Sequence, residues 1–452
     1  MRFDPDIAAI RFGTGLGPGA QLVDGPGALL ASVATEGASP HRIPGFDSQL
    51  DDLRTARRLR HDKQEGKAGA DEALRAHRRQ MGERGLTWFA ARLARHVAAP
   101  VGFAERLELF WADHFTVVGK RADARALGAT FTQDAIRPHL TGRFADMLRA
   151  AVEHPMMLAY LDQFASVGEG SRAAERSGRG LNENLAREIL ELHTLGVGGA
   201  YDQRDVRELA KLLAGYAFSK EMQVVYRPGR GTPGAEVILG RRYGGAKPRI
   251  EDVHAALEDI AAHPDTARHL ARKLAVHFIS DTPDEGLVAH LAARYRDSDG
   301  DLTAVYAALL EHPAAWAPRA RKARQPIEFI SASLRALGVA PDEIAGADPK
   351  QIRQGALQPM ALMGQRWEQP AGPDGWPEQP SYWITPQGLA ARLQWAMTVP
   401  ALLRPALPDP RDLARQALGS RLDAETKFAA RAAQTKWEGV GLVLASPAFQ
   451  MR

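Results

Sequence analysis

The chain has 452 residues, 45% of them apolar and 25% charged, with a formal net charge of +4 at neutral pH. That length exceeds one small core and fits either a single large helical body or two domains. It has no cysteine, which excludes disulfides, thiolate metal ligands and a cysteine nucleophile together, and no apolar run approaches the roughly 18 residues of a membrane span.

Met1-Arg2-Phe3-Asp4-Pro5-Asp6 carries acids and leads into no apolar stretch of signal-peptide type. The sequence as written is therefore expected in the cytoplasm, with a periplasmic location the alternative if a leader has been removed. Gly13-Thr-Gly15-Leu-Gly17-Pro18-Gly19 has the look of a dinucleotide fingerprint, but Pro18 stands at the third glycine and no alternation of strand and helix follows. It reads as an irregular turn. The arginines between Arg54 and Arg60 are interleaved with Asp51, Asp52, Asp62 and Glu65 and lack aromatic neighbours, which predicts a solvated helix face and no nucleic-acid partner.

Helical periodicity becomes strong at 86–96 and again at 103–115. In the second stretch Phe103, Leu107, Phe110 and His114 recur at i, i+4, i+7 and i+11, which turns His114 toward the core. There it is either a neutral structural imidazole or a ligand or general base. Helices are predicted at 123–136 and 144–153, then at 156–162 after His154-Pro155. His263-Pro264, His312-Pro313 and Ser446-Pro447 repeat this device, a proline in the first helical turn, so these histidines read as corner residues and not ligands.

Residues 166–180 have loop composition: either a surface connection or a lid whose Arg172, Arg176 and Arg179 favour an anion at the next helix start. That helix, 180–196, is where the polar chemistry concentrates. Asn182 is placed to cap its start and Gly196 to end it in a left-handed turn. Leu185, Ile189 and Leu192 form a core stripe. Asn184, Glu188 and Glu191 form a second stripe, and Asn182, Ala186, Ile189 and His193 a third, while Arg187 can reach Glu183 or Glu191. Polar groups on both sides of a core stripe must be partly buried and must find partners.

A helix follows at 205–217. Two β-type runs, 223–226 and 236–239, then read as one small hairpin with a long loop. Helices resume at 250–262, 266–279, 285–297, 302–312 and 326–337. Asp297-Ser-Asp299-Gly-Asp301 departs from a calcium loop, since its glycine is fourth and Ala308 holds the twelfth place; Asp301 is the N-cap of the next helix. Residues 360–386 form an irregular segment rich in tryptophan and proline. It is either a belt over the core or a pocket wall offering Trp367, Trp376, Tyr382 and Trp383 for stacking. The expected fold is mainly α: a large multi-helix body, one small β-hairpin near 223–239 and the irregular segment. It is read as one domain over 1–452, divisible into 1–218, a hairpin insertion at 219–248, and 249–452.

Several segments together resemble the domain-of-unknown-function 1800 (DUF1800) family across nearly the whole chain. They are Glu105-Arg-Leu-Glu-Leu-Phe110-Trp111 with His114-Phe-Thr116, Tyr160-Leu-Asp162, Gly180 to Gly196, Gly240-Arg-Arg-Tyr243, Gly364-Gln365 and Pro373-Asp-Gly-Trp-Pro377. The resemblance implies a largely helical protein of unassigned activity. It also implies similarity to exported bacterial proteins often encoded beside an alkaline-phosphatase-like family, whose members are the implied partner. Two departures stand out: Asp113 replaces the asparagine usual before the histidine matching His114, and 228–239 lacks the usual His-Asp pair.

Two functions from different classes remain open. The first is an enzyme with its site between the 103–115 and 182–193 helices. His114 and His193 would be base or ligands, Glu188 or Glu191 acid/base, and Asp162 an orienting carboxylate. Asn182, Glu183, Asn184, Arg187, Trp367, Trp376 and Trp383 would contact the ligand. His114, Glu188 and His193 would suit a divalent transition metal such as zinc, manganese or iron, although Glu188-x-x-Glu191-x-His193 matches no standard metal spacing. The second is a non-catalytic scaffold in which Asn182, Glu183, Arg187, Glu188 and His114 form a buried polar network.

Overall fold

The computed structural model describes residues 3–35, 39–121, 124–318 and 322–452, and it is mainly α-helical. The periodic segments become Phe103–His114, Phe144–Glu153, Ile250–Ala261, Pro264–Phe278, Glu285–Asp297, Leu302–Glu311 and Pro326–Ala336. The 86–96 stretch is the buried end of a longer helix, Ala70–Ala98, whose polar first half keeps a single seam of Leu74, His77 and Met81 inward. The start expected at Asp123 lies outside the described residues. The rest of that stretch breaks into short turns, Arg125–Leu127, Gly128–Phe131 and Thr132–Ile136.

The proline corners work as read. The imidazole Nδ1 of His154, His263 and His312 accepts the N–H two residues on, at 3.1, 3.1 and 3.3 Å, and Ser446 Oγ accepts from Phe449 at 3.2 Å. Each supplies an acceptor to a helix start that would otherwise lack one, typically worth about 1 kcal/mol. Asp301 caps in the same way, accepting from Thr303 at 2.8 Å.

The two β-type runs do not pair with each other. Strand β1 (Tyr216–Phe218) pairs with β2 (Val224–Tyr226), and β3 (Gly234–Ile238) with β4 (Arg241–Gly245), all antiparallel. Each run takes its nearest neighbour because a tight turn closes with less loss of chain entropy than a long loop. Leu239 and Gly240, at φ +50° and +76°, make the two-residue turn that suits strand twist.

The core falls into two main clusters. One runs through residues from Ile7 to Trp316; the other joins Leu86, Phe89 and Leu93 to residues between Ile327 and Phe449. The Ala70–Ala98 helix serves both, and Trp367 packs against both. Among the described residues no helix is long and apolar enough to cross a membrane.

Candidate functional site

The organising segment begins as read. Asn182 Oδ1 accepts the Asn184 N–H and its Nδ2 donates to Leu161 O, both at 2.9 Å. One α-turn, Asn184–Glu188, then widens into a π-turn, Ile189–His193. The extra residue rotates the positions after it, so Leu190 and His193 turn inward and Leu192, placed by sequence in the core stripe, is only half-buried. Gly196 ends the turn at φ +88°; a Cβ there would stand 2.6 Å from His269 Nδ1.

This ending frees two carbonyls, and two imidazoles cover them. His269 Nε2 donates to Leu192 O at 3.0 Å and His114 Nε2 donates to His193 O at 3.1 Å. Since a carbonyl only accepts, both rings carry their proton on Nε2. The buried Nδ1 atoms of His114 and His193 are left without partners. Ring centroids lie 5.9 Å apart for His114 and His193, and 6.3 Å for His114 and His269. Burial, reinforced by Lys273, holds His114 well below the usual range, His193 down to about 3 and His269 to about 4. Groups this weakly basic accept protons poorly at neutral pH.

The other residues singled out by sequence are spread around this turn. Glu188 and Glu191 are half-buried, and burial followed by the Glu191 charge pushes Glu188 up to about 7. Arg187 reaches Glu183 at 3.3 Å and Gln203 at 2.9 Å, and Asn184 is exposed. Asp162 takes a left-handed turn at φ +55° and pairs with Lys120 at 2.6 Å on the surface. Among the described residues no group of three or more histidines and carboxylates could hold a metal ion. For the set His114, Glu188 and His193, the His114 Nε2 is already engaged by a backbone carbonyl.

A different constellation lies one residue before His114. Asp113 lines an open cavity together with Thr116, Arg92, Trp367, Glu368 and Trp376. The left-handed Gly375, at φ +85°, lets the Trp376 N–H reach Asp113 Oδ1 at 2.8 Å. That bond favours the carboxylate, but burial outweighs it and pushes Asp113 up to about 7.

Glu368 is the second acid. Burial pushes it up to about 8, against the opposing Arg92 charge and the Ala129 backbone N–H. Arg92 stands 3.6 Å from Glu368 and 3.7 Å from Glu108. Burial opposes the charge on Glu108 too, but Arg95, Arg92 and Arg137 hold that acid down to about 2. Three guanidiniums thus hold Glu108 ionised, whereas only Arg92 and one backbone N–H oppose the burial of Glu368. Its carboxylate fits only because residue 128 is glycine, where a Cβ would lie 2.6 Å from Glu368 Oε2. Glu368 also holds φ +50°, a strained conformation of the kind concentrated at functional sites.

Of the tryptophans, Trp367 and Trp376 line this cavity, and the buried Trp367 indole N–H lacks a partner. Trp383 is fully buried: it packs on Trp376 at 5.8 Å and donates to Pro377 O at 2.9 Å, so it is core. Tyr382 lies against Trp383, half exposed. Sequence reasoning missed Arg92 and Glu368 and saw Asp113 only as a departure from a pattern. The signal available was the Trp367-Glu368 pair inside a segment already marked as a wall.

Residues 8–451 match the model of the family described as "Protein of unknown function (DUF1800)", and the chain belongs to that family. Neither a curated protein nor a solved structure matches the chain.

Proposed function

We propose that this DUF1800 member is an acid–base enzyme whose chemistry takes place in the cavity between Asp113 and Glu368. The observation behind this reading is two carboxyl groups, raised to about 7 and about 8, lining one cavity with two indoles. Enzymes that move protons near neutral pH need acids and bases poised there, and a pair whose environments set their pKa values apart divides the roles. Glu368, the more strongly protonated, is assigned the general acid and Asp113 the general base. Trp367 and Trp376 bind the apolar face of the substrate, and the free Trp367 N–H orients it. Hydrolysis of a glycosidic or ester bond is the reaction class that such a pair serves most directly.

The test is a screen of the purified chain against chromogenic glycosides, esters and phosphates, run beside Asp113→Asn and Glu368→Gln. Turnover lost at least about 100-fold in both variants, with folding retained, supports the reading; turnover unchanged in either variant refutes it.

For the 180–196 helix the second reading is favoured by one observation, the double carbonyl cap by His269 and His114. We assign His114, His193 and their neighbours to fixing helix packing, beside the site and not in it.

A further inference from the structure

A smaller cavity shares Leu109 and Glu328 with the first. Its wall carries three guanidiniums, Arg106, Arg324 and Arg452, each 2% exposed or less. Arg106 and Arg452 both pair with Glu328, the second through Nε at 3.0 Å. Arg324 has no carboxylate partner among the described residues; its guanidinium lies 4.5 Å from the Phe449 ring centroid instead. Arg392, which donates to Arg324 O at 2.8 Å, has none either. The next acid, Glu378, is engaged by Lys322 at 3.1 Å and by His277. Four buried guanidiniums thus have one directly paired carboxylate, with Glu378 a more distant counter-charge to Arg106 and Arg452 and no acid among the described residues acting on Arg324.

Such an excess is costly, because a desolvated cation without a counter-charge loses its hydration with nothing in return. Deprotonation offers no way out. Burial, then Arg421, Arg452 and Arg392, pull Arg324 down to about 9, which still leaves it charged at neutral pH. The hydrogen-bond pattern points the same way. Thr14 Oγ1, Arg106 Nε, Arg324 Nη1 and Arg452 Nη2 are all buried donors without partners. One wall group runs the other way: Ser331 Oγ donates to Ile327 O and so accepts from His96 Nδ1 at 2.9 Å, leaving Nε2 an acceptor that offers an anion nothing.

We propose that this cavity binds a chloride-sized inorganic anion, held by Arg324, Arg106, Arg452 and Thr14. The size follows from the space, which has room for only about one water-sized sphere. A halide fits; a tetrahedral oxyanion would have to push the wall apart. The anion supplies the missing counter-charge and accepts from donors that otherwise have none. It joins residues near the start of the chain to two distant arginine-bearing segments, so its role is to bind the second core cluster to the first.

The test uses the full chain, purified in sodium gluconate, with thermal melts recorded as gluconate is exchanged for chloride or bromide at constant ionic strength. A ligand specific to the folded state raises Tm saturably, by about 3 °C at a hundred times Kd for a chain of this size. Arg324→Met should abolish the rise. Should that variant not fold, Thr14→Val, which removes one neutral donor, should move the midpoint several-fold to higher halide. Crystals soaked in bromide should show one anomalous peak among Arg106, Arg324 and Arg452. The proposal is overturned if gluconate and halides act alike, if Arg324→Met folds and keeps the response, or if the bromide peak is missing. A response to phosphate or sulfate without one to bromide overturns it as well.

Discussion

The Trp376 backbone N–H donates to Asp113 Oδ1 at 2.8 Å across 263 residues of chain. This bond fastens the end of the Phe103–His114 helix to the tryptophan- and proline-rich segment and closes one side of the cavity. It holds an acid whose protonation is set by what covers it.

That acid makes stability depend on pH in a definite sense. Asp113 rises from 3.8 to about 7 on folding, so the folded state holds the proton longer than the unfolded chain. The stabilisation is complete below 3.8, fades as pH rises to 7 and is absent above. Asp113→Asn keeps an oxygen for Trp376 and cannot ionise. It should match the parent at pH 4 and exceed it by about 2–4 kcal/mol at pH 8, because each pH unit between the two pKa values is worth about 1.4 kcal/mol. Urea unfolding at the two pH values measures this, and equal stability at pH 8 would contradict it.

Under the proposed reaction Asp113 must be ionised and Glu368 protonated. The first condition holds above about 7 and the second below about 8, so kcat/KM should trace a narrow bell between them. With a substrate from the screen, residual activity of Asp113→Asn should lose the acidic limb and that of Glu368→Gln the alkaline limb. A profile flat from pH 6 to 9 would separate these acids from the chemistry.

The imidazoles act in the opposite sense. His96, His193 and His277 are pushed down to about 3, His269 to about 4, and His114 well below its usual range, chiefly by burial. The stability they contribute is present above 6.5 and is lost as pH falls through it, each by up to about 1.4 kcal/mol per pH unit. These five outnumber the four raised acids Asp113, Glu188, Glu236 and Glu368, so unfolding free energy should peak near pH 6–7 and fall toward pH 5. Denaturation across pH 5–8.5 checks the slope; a plateau from pH 5 to 6.5 is the opposing result.

Two glycines give a paired test of backbone against space. At Gly375, φ is +85° and a Cβ would lie 2.7 Å from the backbone oxygen and Oδ1 of Asp113. Gly375→Ala should cost about 1–3 kcal/mol and loosen Trp376, read by unfolding and near-ultraviolet dichroism. Gly82 sits exposed inside the Ala70–Ala98 helix with nothing within 4 Å of its Cβ position. There Gly82→Ala should stabilise by about 0.5–1 kcal/mol.

The residues differ in how far sequence could place them. His154, His263, His312, Asp301 and Gly196 were legible because a cap or a left-handed turn involves neighbours within a few positions. The inward turn of His114 was legible from its spacing with Phe103, Leu107 and Phe110. The π-turn at Ile189–His193 was not, and it shifted Leu192 out of its expected stripe. The β-type runs were seen, but their partners were reassigned by short turns at 219–222 and 239–240.

The amino-acid sequence alone therefore determined the helical character, the bounds of several helices between 103 and 337, the corners and the family. All of these rest on local periodicity, capping and matched motifs. Tertiary structure decided where the chemistry lies. The state of Asp113 depends on cover from Trp376, that of Glu368 on the missing Cβ of Gly128, and that of Arg324 on having Arg452 and Arg392 for neighbours in place of an acid. Desolvation and charge act through space between residues far apart in the chain, and no pattern along the chain records them.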